Sequence, residues 1–348
     1  MKKNVWKRLG VMLAAVILIA AQSVVTFAQT DVLGNTVTNQ LLGSESAEYK
    51  GRIYSSARGN IYSVKKDGTD KKQVYKGSKY ALGFSEIAVY KGNIYAIYDK
   101  YQGTDGSNCK LIKVKTNGKG YQELATATSV AVVNGKVYYT KADLIKDTDT
   151  QYMQTKAICR MDADGKNVKT LVKKKNIRLL AADGKKLFYC VNDYGACKTT
   201  GYCSNLSGKK EVKLFSEKRG IRGYAAEGND FYYAAETEDL SNKLYKVNIS
   251  TGKKELVSTI KGFMTNFYVE DGTLYAAYGE EGLKKIDLAS GKSKVVNKDV
   301  TAGVRGIHGK VMVYEKYEED FKANTDYSIY LGEKAGKKIK KIGAYFMS

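Results

Sequence analysis

A glycine-centred turn followed by an aromatic, β-branched run recurs seven times along this chain. It appears as YKGRIY (49–54), YKGNIY (90–95), VNGKVYY (133–139), ADGKKLFY (182–189), AEGNDFYY (226–233), EDGTLY (270–275) and IHGKVMVY (307–314). The glycines, at 51, 92, 135, 184, 228, 272 and 309, lie 41, 43, 49, 44, 44 and 37 residues apart. A second series of turns falls between them: VKKDGTDKK (64–72), VKTNGKG (114–120), MDADGKN (161–167), SNLSGKKE (204–211), VNISTGKKE (247–255), IDLASGKSK (286–294) and LGEKAGKK (331–338). Two hairpins per period of roughly 45 residues mean four short antiparallel strands per unit, and Asn-Gly or Asp-Gly accepts the positive φ that a tight hairpin demands. That pattern predicts an all-β chain folded as a β-propeller of four-stranded blades, with seven blades expected and six or eight as the neighbouring closures. A sandwich needs no fixed period, and a helical solenoid needs a 3.6-residue period that is absent here.

The repeats begin near residue 45 and run to the end, so residues 45–348 read as one propeller domain. Residues 29–44 are a polar leading segment, expected to complete the last blade or to cap the ring. Residues 1–28 begin MKKNVWKR, continue through an apolar run from Leu9 to Ala21 and end on Thr26-Phe27-Ala28, the layout of a secretory signal peptide. Uncleaved, the same stretch is just long enough to anchor in a bilayer. No cysteine precedes Cys109, so a lipid-modified cysteine is not available at the cleavage site. Export to the outside of a bacterial membrane, in association with the envelope, is the expected location.

The strand motif [Ile/Val/Leu/Phe]-Tyr-[Tyr/Ala]-x-x-[Asp/Glu] occurs as IYAIYD (94–99), LFYCVND (187–193) and FYYAAE (231–236), with VYYTKAD (137–143) closest to Tyr-Trp-Thr-Asp. It resembles the repeat of low-density-lipoprotein-receptor-type propellers. The segment ICRMDADGKNVKTLV (158–172) is similar to the hairpin of bacterial secreted propellers of that type and of the TolB propeller. The resemblance covers about residues 45 to 346. It implies a propeller that binds peptides, proteins or small ligands, and it brings no catalytic set. The chain departs from the receptor type in having no tryptophan after Trp6 and in its expected blade number.

Composition narrows the chemistry. Among 348 residues there are 58 Lys and Arg against 36 Asp and Glu, a net charge of +22, and a single histidine, His308. Catalysis that needs several histidines is therefore excluded. Propeller topology turns sequence position into a face. The turns joining strands 1 to 2 and 3 to 4 carry lysines such as Lys50, Lys91, Lys185, Lys209, Lys210, Lys253 and Lys310, which predicts a basic base. The loops joining strands 2 to 3 carry Asp99, Asp143, Asp193, Glu236, Glu280, Glu315 and Glu318, which predicts a more acidic top. A lysine-rich face suits solubility or an anionic wall polymer, with salt-sensitive binding. Nucleic acid is not an expected partner, because export separates the chain from it.

Counting six residues back from each first-turn glycine picks out the position where strand 1 meets the channel mouth: Glu45, Glu86, Ser129, Arg178, Arg222, Asn266 and Gly303. Arginine forks suit carboxylates, so a zwitterionic ligand or peptide terminus fits this ring. The alternative is that the arginines pair with nearby loop acids simply to be buried safely. Most tyrosines fall at equivalent strand 2 positions and are expected to pack between blades. Tyr101, Tyr152, Tyr194 and Tyr317 fall in strand 2 to 3 loops and are candidates for stacking on a ligand. Of five cysteines, Cys190 and either Cys197 or Cys203 flank one hairpin and are spaced for a local disulfide after export. No cysteine spacing matches zinc, and Asp147-Thr148-Asp149 lacks the glycine and glutamate of a calcium loop, so neither a metal nor a cofactor is expected. His308 is expected to be a turn residue on the base. The sequence thus reads as a secreted, monomeric, non-enzymatic binding module, with a protein, peptide or wall-polymer ligand on the loop face. The rival reading is a glycan lyase or hydrolase using Glu86 with a loop acid.

Overall fold

The computed structural model of the protein describes residues 32–57, 59–77, 83–100, 108–146, 151–320 and 325–345. The expected signal peptide, Tyr101 and the Asp147–Asp149 stretch lie outside the described residues. Among the described residues the strands are antiparallel and form five four-stranded sheets and one seven-stranded sheet, each with its strands in simple sequence order. The seven-stranded sheet arises because one strand, Gln122–Val133, serves two successive repeat units. Its first part pairs with Cys109–Lys115 as an outer strand. Its second part pairs with Lys136–Lys146 as an inner strand.

The turns explain why the repeat folds this way. Lys50-Gly51, Lys91-Gly92, Asn134-Gly135 and Asp271-Gly272 all hold positive φ at both central residues, between 45° and 75°, the geometry whose twist matches a two-residue hairpin. In the second series a carboxylate or amide closes the turn on itself: Asp67 accepts the Thr69 amide at 2.8 Å, and Asn248 accepts the Ser250 amide at 3.1 Å.

Second strands such as Asn93–Asp99, Lys186–Asp193 and Asp230–Glu236 are apolar on both faces because each is covered by the neighbouring unit on either side. Among the described residues the core divides into seven clusters, each shared by consecutive units. One of them joins Val313, Ile329 and Leu331 of the last unit to Ile53, Ala57 and Val64 of the first, so the ring closes by face-to-face packing. Tyr54, Tyr95, Tyr138, Tyr189 and Tyr232 are buried in these seams, and Tyr275 is half-buried.

The inner strands around the axis are Ser46–Tyr49, Gly83–Tyr90, the second part of Gln122–Val133, Ile177–Ala182, Ile221–Glu227, Asn266–Glu270 and Gly303–His308. Five of the seven carry a bulge, at Ser85/Ala88, Ala127/Ser129, Leu179/Ala181, Ile221/Gly223 and Val304/Gly306. A bulge leaves backbone groups of its strand without a ladder partner, and they must be satisfied from elsewhere.

Among its described residues the leading segment adds no strand to the last sheet, so of the two expected roles it takes the capping one. It lies inside the ring. A single helical turn, α1 (Val37–Leu41), is capped by Thr36, whose side chain accepts the Asn39 amide. Three buried amides then stitch it to the inner strands. Asn35 donates to the carbonyls of Ser46 and Ile87, both at 2.9 Å. Asn39 donates to the Ile307 carbonyl at 3.1 Å and accepts the Ile307 amide at 2.7 Å. Gln40 treats Ala182 in the same way, at 3.0 and 2.8 Å. Asn, Thr and Gln in a string suit solvent as well as a buried place. Here each amide instead replaces the water that inner-strand backbone would otherwise need.

His308 also departs from expectation. It is the last paired residue of its strand, opposite Val311, and the turn lies at Gly309-Lys310. Its ring is buried, with Nε2 2.9 Å from Ser46 Oγ across the seam between last and first units. Burial, with Lys66 nearby, pushes its pKa down to about 3, so the imidazole is neutral.

Candidate functional site at the open channel mouth

With the leading segment filling the base of the channel, the ring of predicted residues sits above it, toward the strand 2 to 3 loops. The ring residues divide into stitches and charges. Asn266 is a stitch: it accepts the Val304 amide at 3.1 Å and donates to the Val304 carbonyl at 2.8 Å in the next unit. Ser129 is another, hydrogen-bonded to Thr140, whose Oγ1 accepts the Leu179 amide at 2.8 Å. Asn266 is spent on backbone, and Ser129 on the Thr140 hydroxyl that holds it.

Glu86 does both jobs. Its Oε2 accepts the Val130 amide at 3.0 Å, and its Oε1 meets Arg178 at 3.3 Å from a unit two places on. It is 9% exposed and stands in its bulge with φ of 52°, a conformation uncommon for a residue with a side chain. Burial raises its pKa to about 7, against the pull of Arg178 and the Val130 amide, with the Glu45 charge adding to the rise. Arg178 itself keeps 55% of its side chain exposed.

On the other side, Glu45 pairs with Arg305 at 2.6 Å, and burial holds the Glu45 carboxyl above its usual range despite that cation. Arg305 also pairs with Glu315 and donates to Ser56 Oγ at 3.1 Å. The charges therefore form two ion-paired groups on one arc, Glu315, Arg305 and Glu45 in one and Glu86 with Arg178 in the other. Arg222 is different, being held by Glu236 of its own unit with its guanidinium 4.4 Å from the Phe263 ring centre. The expectation that arginines pair with loop acids describes Arg222. Arg178 instead pairs with another member of the ring.

Arg305 was not among the predicted residues. Counting back from Gly309 gives Gly303, which has no side chain, and a bulge two residues later delivers Arg305 to the same arc. The signal was present in the sequence as the one arginine of that strand.

Two cavities flank the mouth. One, of about 670 Å³, lies between loops of neighbouring units and is lined by Tyr152 and Tyr194 with Asp193, Lys175 and Asn176. Tyr194 is 72% exposed and Tyr152 46%, so two of the proposed stacking residues do come together. The other, of about 560 Å³, is lined by Tyr317, Tyr327, Tyr345 and Phe263 with Glu280 and Glu315.

The five cysteines are all free, so the expected pairing of Cys190 with Cys197 or Cys203 does not form. Cys203 stands opposite Phe188, and Cys190 opposite Gly201, which offsets the two sulfurs diagonally by two residues. Diagonal neighbours on a sheet lie about 7–8 Å apart at Cα, beyond the reach of an S–S bond without backbone movement. Cys190 sits beside Arg178 and Tyr224, and burial raises its pKa although Arg178 opposes the shift.

No family model matches the chain, and no curated protein matches it. Solved structures do. Puromycin hydrolase is 13% identical with a TM-score of 0.62, over 91% of this chain and 57% of that one. Oligogalacturonate lyase in complex with manganese is 8% identical with a TM-score of 0.54, over 81% and 85%. The computationally designed Ika8 protein is 14% identical with a TM-score of 0.52, over 87% of each. The chain is a β-propeller in architecture. It spans a little over half the length of the hydrolase, and likenesses at this identity concern the fold alone.

Proposed function

We propose that the protein is an exported binding module whose ligand face is the open channel mouth, and that it captures a carboxylate-bearing ligand such as a peptide terminus. The observation that carries this reading is Arg178. Its guanidinium is half-exposed, is positioned by a buried carboxylate rather than enclosed by it, and contacts that carboxylate through one nitrogen. A fork held this way presents donors to solvent in the geometry a carboxylate accepts. The closed base supports the same reading, since a ligand enters from one side only. The lysine-rich base then faces the anionic envelope.

The test is capture of peptides with free or amidated C-termini by the purified mature chain. Arg178→Ala is expected to lose at least about tenfold in affinity for the free acids, with little change in thermal stability. Undiminished capture by the folded variant rejects the site. Envelope attachment is tested apart from it, by cosedimentation with bacterial cell walls, with and without their anionic polymers, over a salt series.

A second reading rests on Glu86, a carboxyl that holds its proton near neutrality and feels the Glu45 charge beside it. Such a group can act as a general acid, as in glycan cleavage. Turnover of wall glycans that disappears in Glu86→Gln would favour this enzyme over a binding protein.

A further inference from the structure

The cavity over the last unit differs in chemistry from the mouth beside it. Tyr317, Tyr327 and Tyr345 stand in one row across three strands, Val311–Asp320, Thr325–Glu333 and Lys338–Tyr345, because each is paired with the next in register. Tyr327 stacks on Tyr345 with centroids 5.4 Å apart and planes 17° from parallel. Tyr317 stands at 74° to Tyr327, at 5.6 Å, so the row bends into a corner of two ring walls. Phe263, 54% exposed, lines the cavity from the neighbouring unit and already holds the Arg222 guanidinium against its ring.

The polar groups of this cavity are mostly acceptors. The Tyr345 hydroxyl donates to Glu315 Oε1 at 2.5 Å, and Arg305 contacts that same oxygen. Thr265 donates its hydroxyl to the Ala277 carbonyl, and Thr301 Oγ1 accepts the Tyr317 amide. What remains toward the cavity is aromatic surface and the exposed Glu280 carboxylate, and no lysine or arginine is among the described lining residues. Arg305 already neutralises Glu315 and Arg222 lies over the Phe263 ring, so what the cavity offers a cation from outside is the tyrosine corner and the Glu280 carboxylate.

We infer that this cavity binds an organic ammonium group. Ring faces attract the charge, the perpendicular rings enclose it from two sides, and the Glu280 carboxylate balances it. A quaternary amine, a lysine side chain and an amino sugar all present this chemistry. The inference is independent of Arg178, which does not line the cavity.

The experiment is ligand-observed NMR on the full mature chain with choline, lysine amide, glucosamine, glucose and 3,3-dimethylbutanol, the uncharged isostere of choline. At least one ammonium probe is expected to bind, with dimethylbutanol and glucose roughly tenfold weaker or silent. Choline alone binding identifies a quaternary amine as the source, lysine amide an amine side chain, and glucosamine an amino sugar. Phe263→Ala, at an exposed position, and Glu280→Gln are each expected to weaken the effective probe several-fold without unfolding the ring. Arg178→Ala is expected to leave it unchanged. The inference is overturned if dimethylbutanol binds as well as choline, if glucose binds as well as glucosamine, if no ammonium probe binds, or if both variants bind like the parent.

Discussion

The two ends of the axial channel are both polar, yet they are built from opposite materials. At the base, Asn35, Asn39 and Gln40 are neutral amides: Asn39 and Gln40 each use donor and acceptor on backbone of inner strands, and Asn35 donates to two inner-strand carbonyls while its oxygen accepts from Thr36 and Asn39. At the mouth, Glu45, Glu86, Arg178 and Arg305 are charges in two separate ion-paired groups, with Arg178 left half in water. A saturated neutral amide has nothing left to offer a ligand, whereas a guanidinium with one carboxylate contact does. Polarity in a channel therefore marks function only where hydrogen-bonding capacity is left over.

The largest test of that contrast is the base. The double variant Asn39→Leu with Gln40→Leu strands the amides and carbonyls of Ile307 and Ala182 in a buried place. A loss of about 3–6 kcal/mol is expected, read by urea unfolding. Arg178→Ala at the mouth is expected to change stability by less than about 1 kcal/mol, and equal losses at both ends would dissolve the distinction.

Next comes pH, where the ends should respond with opposite signs. Between 4.5 and about 7, folded Glu86 keeps a proton that the unfolded chain has released. Stability is thus fully present below the unfolded pKa and falls as pH rises through the window, by about 3 kcal/mol in all. Glu86→Gln, which keeps an acceptor for the Val130 amide, should remove that slope.

His308 behaves in the reverse sense. Its folded pKa near 3 lies below the ordinary 6.5, so acid favours the unfolded chain, with a loss of about 2 kcal/mol by about pH 5. His308→Gln should flatten this limb, and a limb that persists in the variant would place its origin elsewhere.

The smallest structural effect is expected on the basic face, where exposed Lys50, Lys91 and Lys310 flank first-series turns. Changing all three to Gln should shift stability by no more than about 0.5 kcal/mol per site while weakening cell-wall cosedimentation at low salt.

How far all this could be read from sequence follows the same division. The turns were legible because Lys-Gly, Asn-Gly and Asp-Gly report local backbone geometry. The ring positions were legible too, since a fixed offset from each turn reaches the same place in every inner strand. Their roles were not, because Asn266 bonds backbone of the next unit directly and Ser129 reaches it only through Thr140, which no local pattern records. Arg305 was hidden by a bulge, and the cavity row Tyr317, Tyr327 and Tyr345 by register between three strands of the last unit. Between completing the last blade and capping the ring the amide-rich leading segment could not choose, because Asn and Gln look alike in solvent and in a saturated interior.

That segment also has a consequence in time. Asn39 finds its partner Ile307 at a separation of 268 residues. Residues near the start of the described chain therefore cannot settle until the last unit has been made and has swung round to meet the first. Loop closure of this length comes late, and contacts so distant in sequence slow folding. The ring should gather its units in sequence and then set all at once, like an arch that stands when its keystone drops in, with refolding after denaturant limited by a single late step that Asn39→Leu slows.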